Sequence, residues 1–139
     1  MADDDWYQFG ADRCVKVFFK TPHLDWGDAE EACQEYEYYT YSGHLVSIHS
    51  EEEWNAVICI MYRVHPGKPT YWIGLTRDPY LFYYKWSDYS TVNFGRLVGA
   101  EPDELWGTEY CVEMNYGHWG HWNRNKCSDR RPYMCQVRY

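Results

Sequence analysis

Hydrophobic and polar positions along the 139-residue chain first follow a strand period and then a helical one. Residues 14–20 alternate and are rich in branched and aromatic side chains, a pattern typical of a strand. After Asp25, a suitable N-cap residue, the positions Trp26, Ala29 and Cys33 fall near one stripe of a helix. The pattern therefore predicts a strand followed by a first helix.

A second strand and a second helix come next in the chain. Residues 43–48 are predicted to form a short buried strand, and Ser50 with Glu53 forms a capping box that starts a helix. This helix is predicted to end before His65. Its apolar positions are Trp54, Val57, Ile58 and Met61.

Short strands and one long loop make up the rest of the pattern. Residues 87–110 contain Gly, Pro, Asn and Asp without a sustained period. A loop of that length in a compact domain is uncommon unless it is functional. Strands are predicted at residues 71–75, 82–86, 110–114, 121–123 and 133–137. The order of elements indicates an α+β fold.

The composition limits the classes of function. Fifteen Tyr and eight Trp help to bring the aromatic share to 20%, and their polar-tipped rings suit half-buried surfaces and binding sites. The net charge is -8 with no run of Lys or Arg, which argues against nucleic acid or an anionic membrane as the main partner. No apolar stretch approaches the ~20 residues of a membrane span. We therefore expect one domain without a membrane span.

Cysteine content and sequence motifs indicate the compartment and the kind of activity. Six cysteines in so short a chain point to an oxidising compartment, so we expect a secreted, extracellular protein. Since residues 1–5 lack the apolar core of a signal peptide, we interpret the chain as a mature form with an added initiator Met. The sequence contains no Gly-rich phosphate loop, zinc pattern or G-x-S-x-G motif, and we expect a protein that is not an enzyme.

A series of short motifs occurs in a fixed order along the chain. They are Trp26-Gly-Asp-Ala-Glu-Glu-Ala-Cys33, His44-Leu-Val-Ser-Ile-His-Ser50, Trp72-Ile-Gly-Leu75, Trp86-Ser-Asp88, Glu101-Pro-Asp103, Glu109-Tyr-Cys111, Trp122-Asn123 and Arg131-Pro-Tyr-Met-Cys135. In this order the chain resembles the C-type lectin domain family over nearly its whole length. The resemblance implies a C-type lectin-like fold, with two helices flanking small antiparallel sheets and a long binding loop. We expect residues 1–12 to be a lead-in and residues 13–139 to be the domain.

The resemblance also implies two disulfides, Cys33–Cys135 and Cys111–Cys127. The first closes a loop of about 100 residues, for which a chain-entropy model gives ~4–5 kcal/mol. The second would fix the base of the binding loop.

Two cysteines, Cys14 and Cys59, are left over from these pairings. Cys14 is expected to be free, paired with Cys59, or paired between chains. Cys59 lies on the second predicted helix, where an intermolecular bond in a homodimer and a buried free thiol are the alternatives.

In this family sugars bind through calcium, and the resemblance assigns one Ca²⁺ site to Glu101, Asp103, Glu109 and Asn123. A hard cation prefers such carboxylate and amide oxygens, and the same side chains would hydrogen-bond two sugar hydroxyls. Pro102 is expected to carry a cis peptide bond that turns its neighbours towards one ion.

One departure from the family pattern concerns Arg124, which stands where an Asp usually follows the Trp-Asn pair. A guanidinium near a divalent ion should weaken ion binding. Asp103 offsets this, because the chain still offers three carboxylates with Glu101 and Glu109. The alternative is that Arg124 pairs with Asp103 or Glu101 and replaces the ion. Leu97 also replaces a usual Trp, and Phe94 is expected to supply the missing packing.

The motif Glu101-Pro102-Asp103 combines the mannose-type and galactose-type patterns of the family. Trp106 is expected to stack on the apolar face of galactose or N-acetylgalactosamine, and Arg124 could contact an acidic or acetamido substituent, whereas Trp122 is expected in the core. The sequence thus predicts a calcium-dependent lectin for galactose-type or mannose-type glycans, used in glycan capture or agglutination. The alternative is a domain that has lost calcium and sugar binding and binds a protein or mineral partner.

Overall fold

The computed structural model describes residues 6–67, 69–98 and 108–139. Strands and helices within them confirm the α+β arrangement. The strands are β1 (Tyr7–Phe9), β2 (Arg13–Phe18), β3 (Glu37–Tyr38), β4 (Tyr41–Ser42), β5 (His44–Leu45), β6 (Tyr71–Arg77), β7 (Tyr84–Trp86), β8 (Tyr110–Met114), β9 (Trp122–Lys126) and β10 (Tyr133–Arg138). The helices are α1 (Trp26–Gln34) and α2 (Glu51–Val64). Neither described helix is both long and apolar enough to cross a bilayer.

The main sheet has the strand order β1-β2-β10-β6-β8-β9, with β5 on β10 and β7 on β6. All of its pairings are antiparallel except that of β10 with β6, where Tyr133 pairs with Trp72. Residues 7–9, expected in the lead-in, form β1 and pair with β2. The boundary at residue 13 itself stays a prediction. Because β2 pairs with β10 along six residues, the first and last parts of the described chain lie side by side.

Both helices begin at the caps that the sequence indicated. The Asp25 carboxylate accepts a hydrogen bond from the backbone N–H of Asp28 at 2.9 Å. The Ser50 hydroxyl accepts one from the N–H of Glu53 at 3.1 Å. The Glu53 carboxylate accepts in turn from the N–H of His49, at 2.8 Å. These bonds satisfy backbone N–H groups at and just before the helix starts, where no helical partner exists.

The core consists of two clusters, one under each helix. Val57 and Met61 of α2 are fully buried in the larger cluster. Ala29 and Cys33 of α1 are fully buried in the smaller one, beside Trp72. Trp122 is also fully buried, as the sequence suggested. The helices therefore cover the sheet with the apolar stripes seen in the sequence.

Two local features differ from the sequence pattern. The strand predicted at residues 43–48 is only two residues long. Val46 N–H still donates to the Met134 carbonyl of β10, but the next N–H, that of Ser47, donates to the Gln136 side chain instead of to a strand backbone. A hairpin formed by β3 and β4 was not predicted. Both of its strands are exposed, so their hydrophobic pattern carries no burial period.

Both disulfides implied by the family resemblance are present. Cys33 and Cys135 join α1 to β10, with 5.3 Å between their Cα atoms. Cys111 and Cys127 join β8 to the end of β9, with 5.0 Å between their Cα atoms. The first bridge joins elements that are 102 residues apart in the sequence, and the second closes the β8–β9 pair at the end of β9.

The two remaining cysteines do not bond to each other, contrary to one alternative drawn from the sequence. Cys59 is exposed on α2, so the alternative of a buried thiol at this position is wrong. Cys14 is half-buried on β2, and burial raises the pKa of its thiol. The two thiols therefore differ in accessibility.

The buried carboxylate of Glu30 fastens α1 to β5. The Glu30 carboxylate accepts from His44 Nδ1 at 2.7 Å, from the Leu45 N–H at 2.8 Å and from the Gln34 amide at 2.8 Å. Burial by itself would raise the pKa of Glu30, but these hydrogen bonds outweigh it and hold the pKa below its usual value. The hydrogen bond to Glu30 raises the pKa of His44, although burial opposes it. Asp88 adds to that rise, and Arg138 opposes it.

A second buried polar cluster surrounds Asp88, which follows β7. Its carboxylate accepts from the Ser47 hydroxyl at 2.6 Å and from the Gln136 amide at 2.8 Å. Burial alone would raise the pKa of Asp88, yet hydrogen bonds led by that from Ser47 hold it below its usual value. Arg13, only 2% exposed, donates to the same Ser47 and Gln136 side chains. These groups rigidify the start of the segment that leads towards the candidate site.

Candidate calcium and sugar site

The candidate site residues that the structure describes lie on β9 and directly before its neighbour β8. Asn123 and Arg124 lie on β9, opposite Glu113 and Val112 of β8. Glu109 directly precedes β8. The structure thus brings Asn123 and Arg124 against the strand that follows Glu109. The other site residues predicted from the sequence, Glu101, Pro102, Asp103 and Trp106, lie outside the described residues.

Glu109 stands at the disulfide that closes β8 and β9. Its side chain is exposed, and its Oε1 atom lies 3.5 Å from Cys127 Sγ. Since a bridged sulfur carries no hydrogen, this approach is a van der Waals contact. Glu109, Cys111 and Cys127 form the group of metal-ligand atoms that the described residues bring within 4.8 Å. Because the two sulfurs are bonded to each other, only the Glu109 carboxylate of this group can bind a cation.

Glu113 on β8 is a buried carboxylate that the sequence reasoning missed. It is 1% exposed and accepts from Asn123 Nδ2 at 3.0 Å, from Asn125 Nδ2 at 3.2 Å and from Arg131 Nε at 3.1 Å. A buried carboxylate is tolerable when donors such as these compensate for its lost hydration. The signal in the sequence was a single Glu inside the apolar strand from Tyr110 to Met114.

The contact with Glu113 fixes the orientation of the Asn123 amide. The Asn123 nitrogen faces the carboxylate, because only the amide NH₂ can donate to it. The amide oxygen is the other terminal atom of the same planar group and is therefore directed away from Glu113. This oxygen is the kind of ligand atom that Ca²⁺ prefers.

Arg124 packs against Tyr84 of β7. Its guanidinium carbon lies 5.7 Å from the centre of the Tyr84 ring. Its Nε atom donates a hydrogen bond to the Tyr84 hydroxyl. The pairing of Arg124 with Asp103 or Glu101, considered from the sequence, involves residues outside the described ones and stays a prediction.

The segment before the candidate loop is docked on β9 by its backbone. Val98 N–H donates to the Trp122 carbonyl at 2.9 Å, and Trp122 N–H donates to the Arg96 carbonyl at 3.0 Å. Phe94 meets the Trp122 ring edge-on with 6.0 Å between ring centroids. Its expected packing against the loop around Glu101 involves residues outside the described ones and stays a prediction. The strand that carries Asn123 is therefore held on both sides, by β8 and by residues 94–98.

The turn between β8 and β9 is fastened to α2. Trp54 Nε1 donates to the Gly120 carbonyl at 2.8 Å, and Gly120 N–H donates to the Asn115 side chain at 2.9 Å. Gly120 has a φ of 90°, and a Cβ atom there would lie 2.5 Å from Trp54 Cζ2. Only glycine permits both this backbone conformation and this close approach.

The chain belongs to the C-type lectin family, since the family model described as the lectin C-type domain matches residues 23–137. It is 32% identical over 127 residues to C-type lectin BML-1 of Bungarus multicinctus, covering 91% of this chain and 77% of that protein. It is 31% identical over 128 residues to a C-type lectin galactose-binding isoform of Pseudechis porphyriacus, with the same coverage of 91% and 77%.

Solved structures confirm the C-type lectin fold. C-type lectin CEL-I from Cucumaria echinata matches with a TM-score of 0.82 at 26% identity, covering 98% of this chain and 96% of that one. Herring type II antifreeze protein matches with a TM-score of 0.78 at 26% identity, covering 99% of each chain. Proteins named for different activities thus share this fold, so the fold alone does not define the ligand of this chain.

Proposed function

We propose that this chain is a calcium-dependent lectin with one Ca²⁺ site formed by Glu101, Asp103, Glu109 and Asn123. The observation that carries the proposal is the hydrogen bond from Asn123 to the buried Glu113, at 3.0 Å. It presets the amide oxygen of Asn123 as a cation ligand before any ion binds. Preset ligands lose less conformational freedom on binding, so they favour a usable affinity.

The donor set fits a hard divalent cation. Among the described residues, the donor atoms are the exposed Glu109 carboxylate and the Asn123 amide oxygen. Calcium takes six to eight oxygen ligands and accepts carboxylates and amide carbonyls together. When bound, the ion would offer coordination positions to two adjacent sugar hydroxyls. Glu109 and Asn123 would hydrogen-bond those hydroxyls, and Glu101 and Asp103 would complete the set.

The stacking of Arg124 on Tyr84 supports a site in which this cation and a calcium ion coexist. The hydrogen bond to the Tyr84 hydroxyl holds part of the guanidinium at β7. The electrostatic repulsion between the Arg124 guanidinium and a bound calcium ion is reduced by distance and by solvent screening. We propose that Arg124 lies at the rim of the sugar site, where it can contact an acidic or acetamido substituent.

Galactose and N-acetylgalactosamine are the first candidate ligands, with mannose-type glycans as the alternative. The Glu101-Pro102-Asp103 motif combines both family patterns. The relative from Pseudechis porphyriacus at 31% identity is named as galactose-binding. In this proposal Trp106 supplies a flat apolar surface for one face of galactose.

The proposed setting is extracellular, and the protein acts by binding glycans rather than by catalysis. The two disulfides are typical of secreted domains, and the curated relatives carry the names of lectins. Glycan capture or agglutination would follow if two sites act together in a homodimer, because linked weak sites gain avidity.

The test is a glycan array probed with the full chain in calcium, in chelator, and after calcium is restored. Binding to galactose-type or mannose-type glycans should vanish with chelator and return with calcium. Glu109→Gln should abolish it, whereas Glu52→Gln on the exposed face of α2 should not change it. Binding that persists in chelator would contradict the proposed role of calcium.

The second candidate function is recognition of a protein or mineral partner without sugar. It is favoured by Arg124 in place of the usual carboxylate. The antifreeze protein that shares the fold at 26% identity supports the idea that a C-type lectin-like domain can serve a non-sugar ligand. Absence of binding to every glycan, with calcium present and the chain folded, would favour this candidate.

A further inference from the structure

The turn between β8 and β9 brings two histidine side chains together. His121 N–H donates to the His118 carbonyl at 3.2 Å, which closes a β-turn over residues 118–121. Gly120, the third residue of this turn, has a φ of 90°, in the region that a type II turn requires at that position. The imidazole rings of His118 and His121 lie 5.1 Å apart between centroids, with 70° between their planes. The turn thus places two nitrogen ligands of the same kind side by side.

We propose that His118 and His121 bind one divalent transition-metal ion, of which zinc is the representative. Imidazole nitrogen suits zinc, copper and nickel, whereas a hard cation such as calcium prefers oxygen. Within the described ranges, His, Cys, Asp and Glu ligand atoms meet in a group of three only at Glu109, Cys111 and Cys127. The other coordination positions of an ion at the histidine pair would therefore hold water or a donor atom of another molecule.

The separation of the two rings suits one tetrahedral ion. Zinc binds an imidazole nitrogen at about 2.0–2.1 Å, and the ring centroid lies roughly 1 Å beyond that nitrogen. Two imidazoles on the same tetrahedral zinc therefore have centroids roughly 5 Å apart. The rings of His118 and His121 are already at this separation, 5.1 Å. Rotation about the side-chain torsions can then direct one nitrogen of each ring to the ion without moving the backbone.

The backbone that carries the pair is fixed from two sides. The His121 carbonyl accepts from the N–H groups of Asn115 and Tyr116, at 2.8 and 3.1 Å. Between the two histidines, Gly120 is bonded to Trp54 of α2 and to the Asn115 side chain. Only side-chain torsions remain to be ordered when an ion binds, so the entropic cost of binding is small.

An ion in solution can reach the pair. His118 is exposed and His121 is half-buried, so neither ring has to be uncovered before it binds. The chain has a net charge of -8, which raises the local concentration of cations around it. The pair therefore combines accessible ligand atoms with a favourable long-range field.

The histidine pair differs in chemistry from the proposed calcium site. That site offers carboxylate and amide oxygens, such as those of Glu109 and Asn123, which suit a hard ion. His118 and His121 offer only nitrogen from their side chains, which suits a softer one. Binding of zinc and binding of calcium should therefore respond to different substitutions.

Calorimetric titration of the full chain with zinc chloride, in a buffer saturated with calcium, tests the proposal. His118→Ala and His121→Ala should each lower zinc affinity at least ~10-fold, because a second linked ligand multiplies affinity through its effective concentration. His23→Gln and Cys59→Ser are the matched controls for another half-buried histidine and for an exposed thiol, and both should bind zinc as wild type does. Absence of zinc binding in wild type would overturn the proposal, as would equal affinity in the His118→Ala chain.

Nuclear magnetic resonance of the histidine rings gives a second measurement that does not depend on substitution. One equivalent of zinc should shift the Cε1–H signals of two of the six histidines, and the shifted backbone amides should cluster at residues 115–122. Shifts that centre on other histidines would overturn the assignment of the ion to this turn.

Glu109→Gln separates this inference from the proposed calcium site. This variant should lose calcium binding and keep the zinc affinity of wild type. Loss of zinc affinity as well would place zinc among the calcium ligands and overturn the inference. Retention of calcium binding would instead count against the lectin proposal and leave the zinc site unaffected.

Discussion

The buried carboxylate of Glu113 accepts a hydrogen bond from Asn123 across the β8–β9 pair, at 3.0 Å. This contact joins a residue of the core to a residue of the proposed calcium site. Glu113 also binds Asn125 and Arg131, so four side chains form one connected polar group. The stability of the fold and the proposed calcium binding therefore both depend on Glu113. Different substitutions of this residue test the two effects.

Removing the Glu113 carboxylate should weaken calcium binding. Glu113→Gln keeps the shape but can present its NH₂ to Asn123, which then turns or loses its partner. We expect calcium affinity to fall ~10- to 100-fold, as for other residues that orient metal ligands. Titration calorimetry would measure this, with Glu52→Gln as the control. An unchanged affinity would show that Asn123 does not depend on Glu113.

The same position should matter for folding. Glu113→Ala removes the acceptor shared by Asn123, Asn125 and Arg131, although Arg131 keeps its contact with Asp129 at 3.3 Å. Leaving buried donors without an acceptor costs about 1–3 kcal/mol. Urea unfolding of the variant should show this loss in the free energy of unfolding. A loss below about 1 kcal/mol would mean that water replaces the carboxylate at little cost.

Arg124 offers a change that should improve the proposed site. Arg124→Asp replaces a cation by a carboxylate near the ion, and we expect calcium affinity to rise roughly tenfold or more from the Coulomb term. The matched control is Tyr84→Phe, which removes the hydroxyl that Arg124 contacts and keeps its charge. If Arg124→Asp left calcium affinity unchanged, the assignment of this strand to the calcium site would fail.

The Glu30–His44 pair should make stability depend on pH. The pKa of His44 is raised from its ordinary value of 6.5, so its contribution is complete below that pH and declines as pH rises through the folded pKa. The pKa of Glu30 is lowered from 4.5, so its contribution is complete above that pH and declines as pH falls through the folded pKa. The pair should therefore stabilise most between about pH 4.5 and 6.5.

The difference in unfolding free energy between wild type and His44→Gln isolates this effect, because Gln keeps a neutral donor to Glu30. That difference should be largest within the stated window and shrink above it. A difference that does not vary with pH would contradict the assigned role of His44.

Gly120 should be sensitive to the smallest possible side chain. In Gly120→Ala the new Cβ would meet Trp54 Cζ2 at 2.5 Å and Ile58 Cδ1 at 2.7 Å, and the φ of 90° is strained for alanine. We expect a loss of ~1–3 kcal/mol in unfolding free energy. Gly95→Ala is the matched control, because its Cβ would meet nothing within 4 Å. Equal effects of the two changes would refute the close approach at Gly120.

The sequence predicted those parts of the fold that depend on local signals. Asp25 and Ser50 cap the two helices as expected, because each cap bonds within three residues of itself. The length of the strand at residues 43–48 could not be predicted, since Val46 and Ser47 bond to Met134 and Gln136 about 90 residues away. Partners at that distance leave no periodic trace in the sequence.

The sequence named candidate ligands, which stay a prediction, but it did not reveal the residues that hold them in place. Glu109, Asn123 and Arg124 were visible through their motifs. Glu113 was visible only as an acid in an apolar strand, and its partners Asn123 and Arg131 are ten and eighteen residues further along. The contact of Arg124 with Tyr84, forty residues before it, depends on the packing of β7 and β9 in the folded sheet.

The link between Trp54 and Gly120 has a mechanical consequence. It attaches the turn before Asn123 to α2, so the helix and the hairpin that carries Asn123 are coupled at this point. A substitution that displaces α2 would therefore also displace the Asn123 amide, and so reach the proposed calcium site without touching any of its ligands.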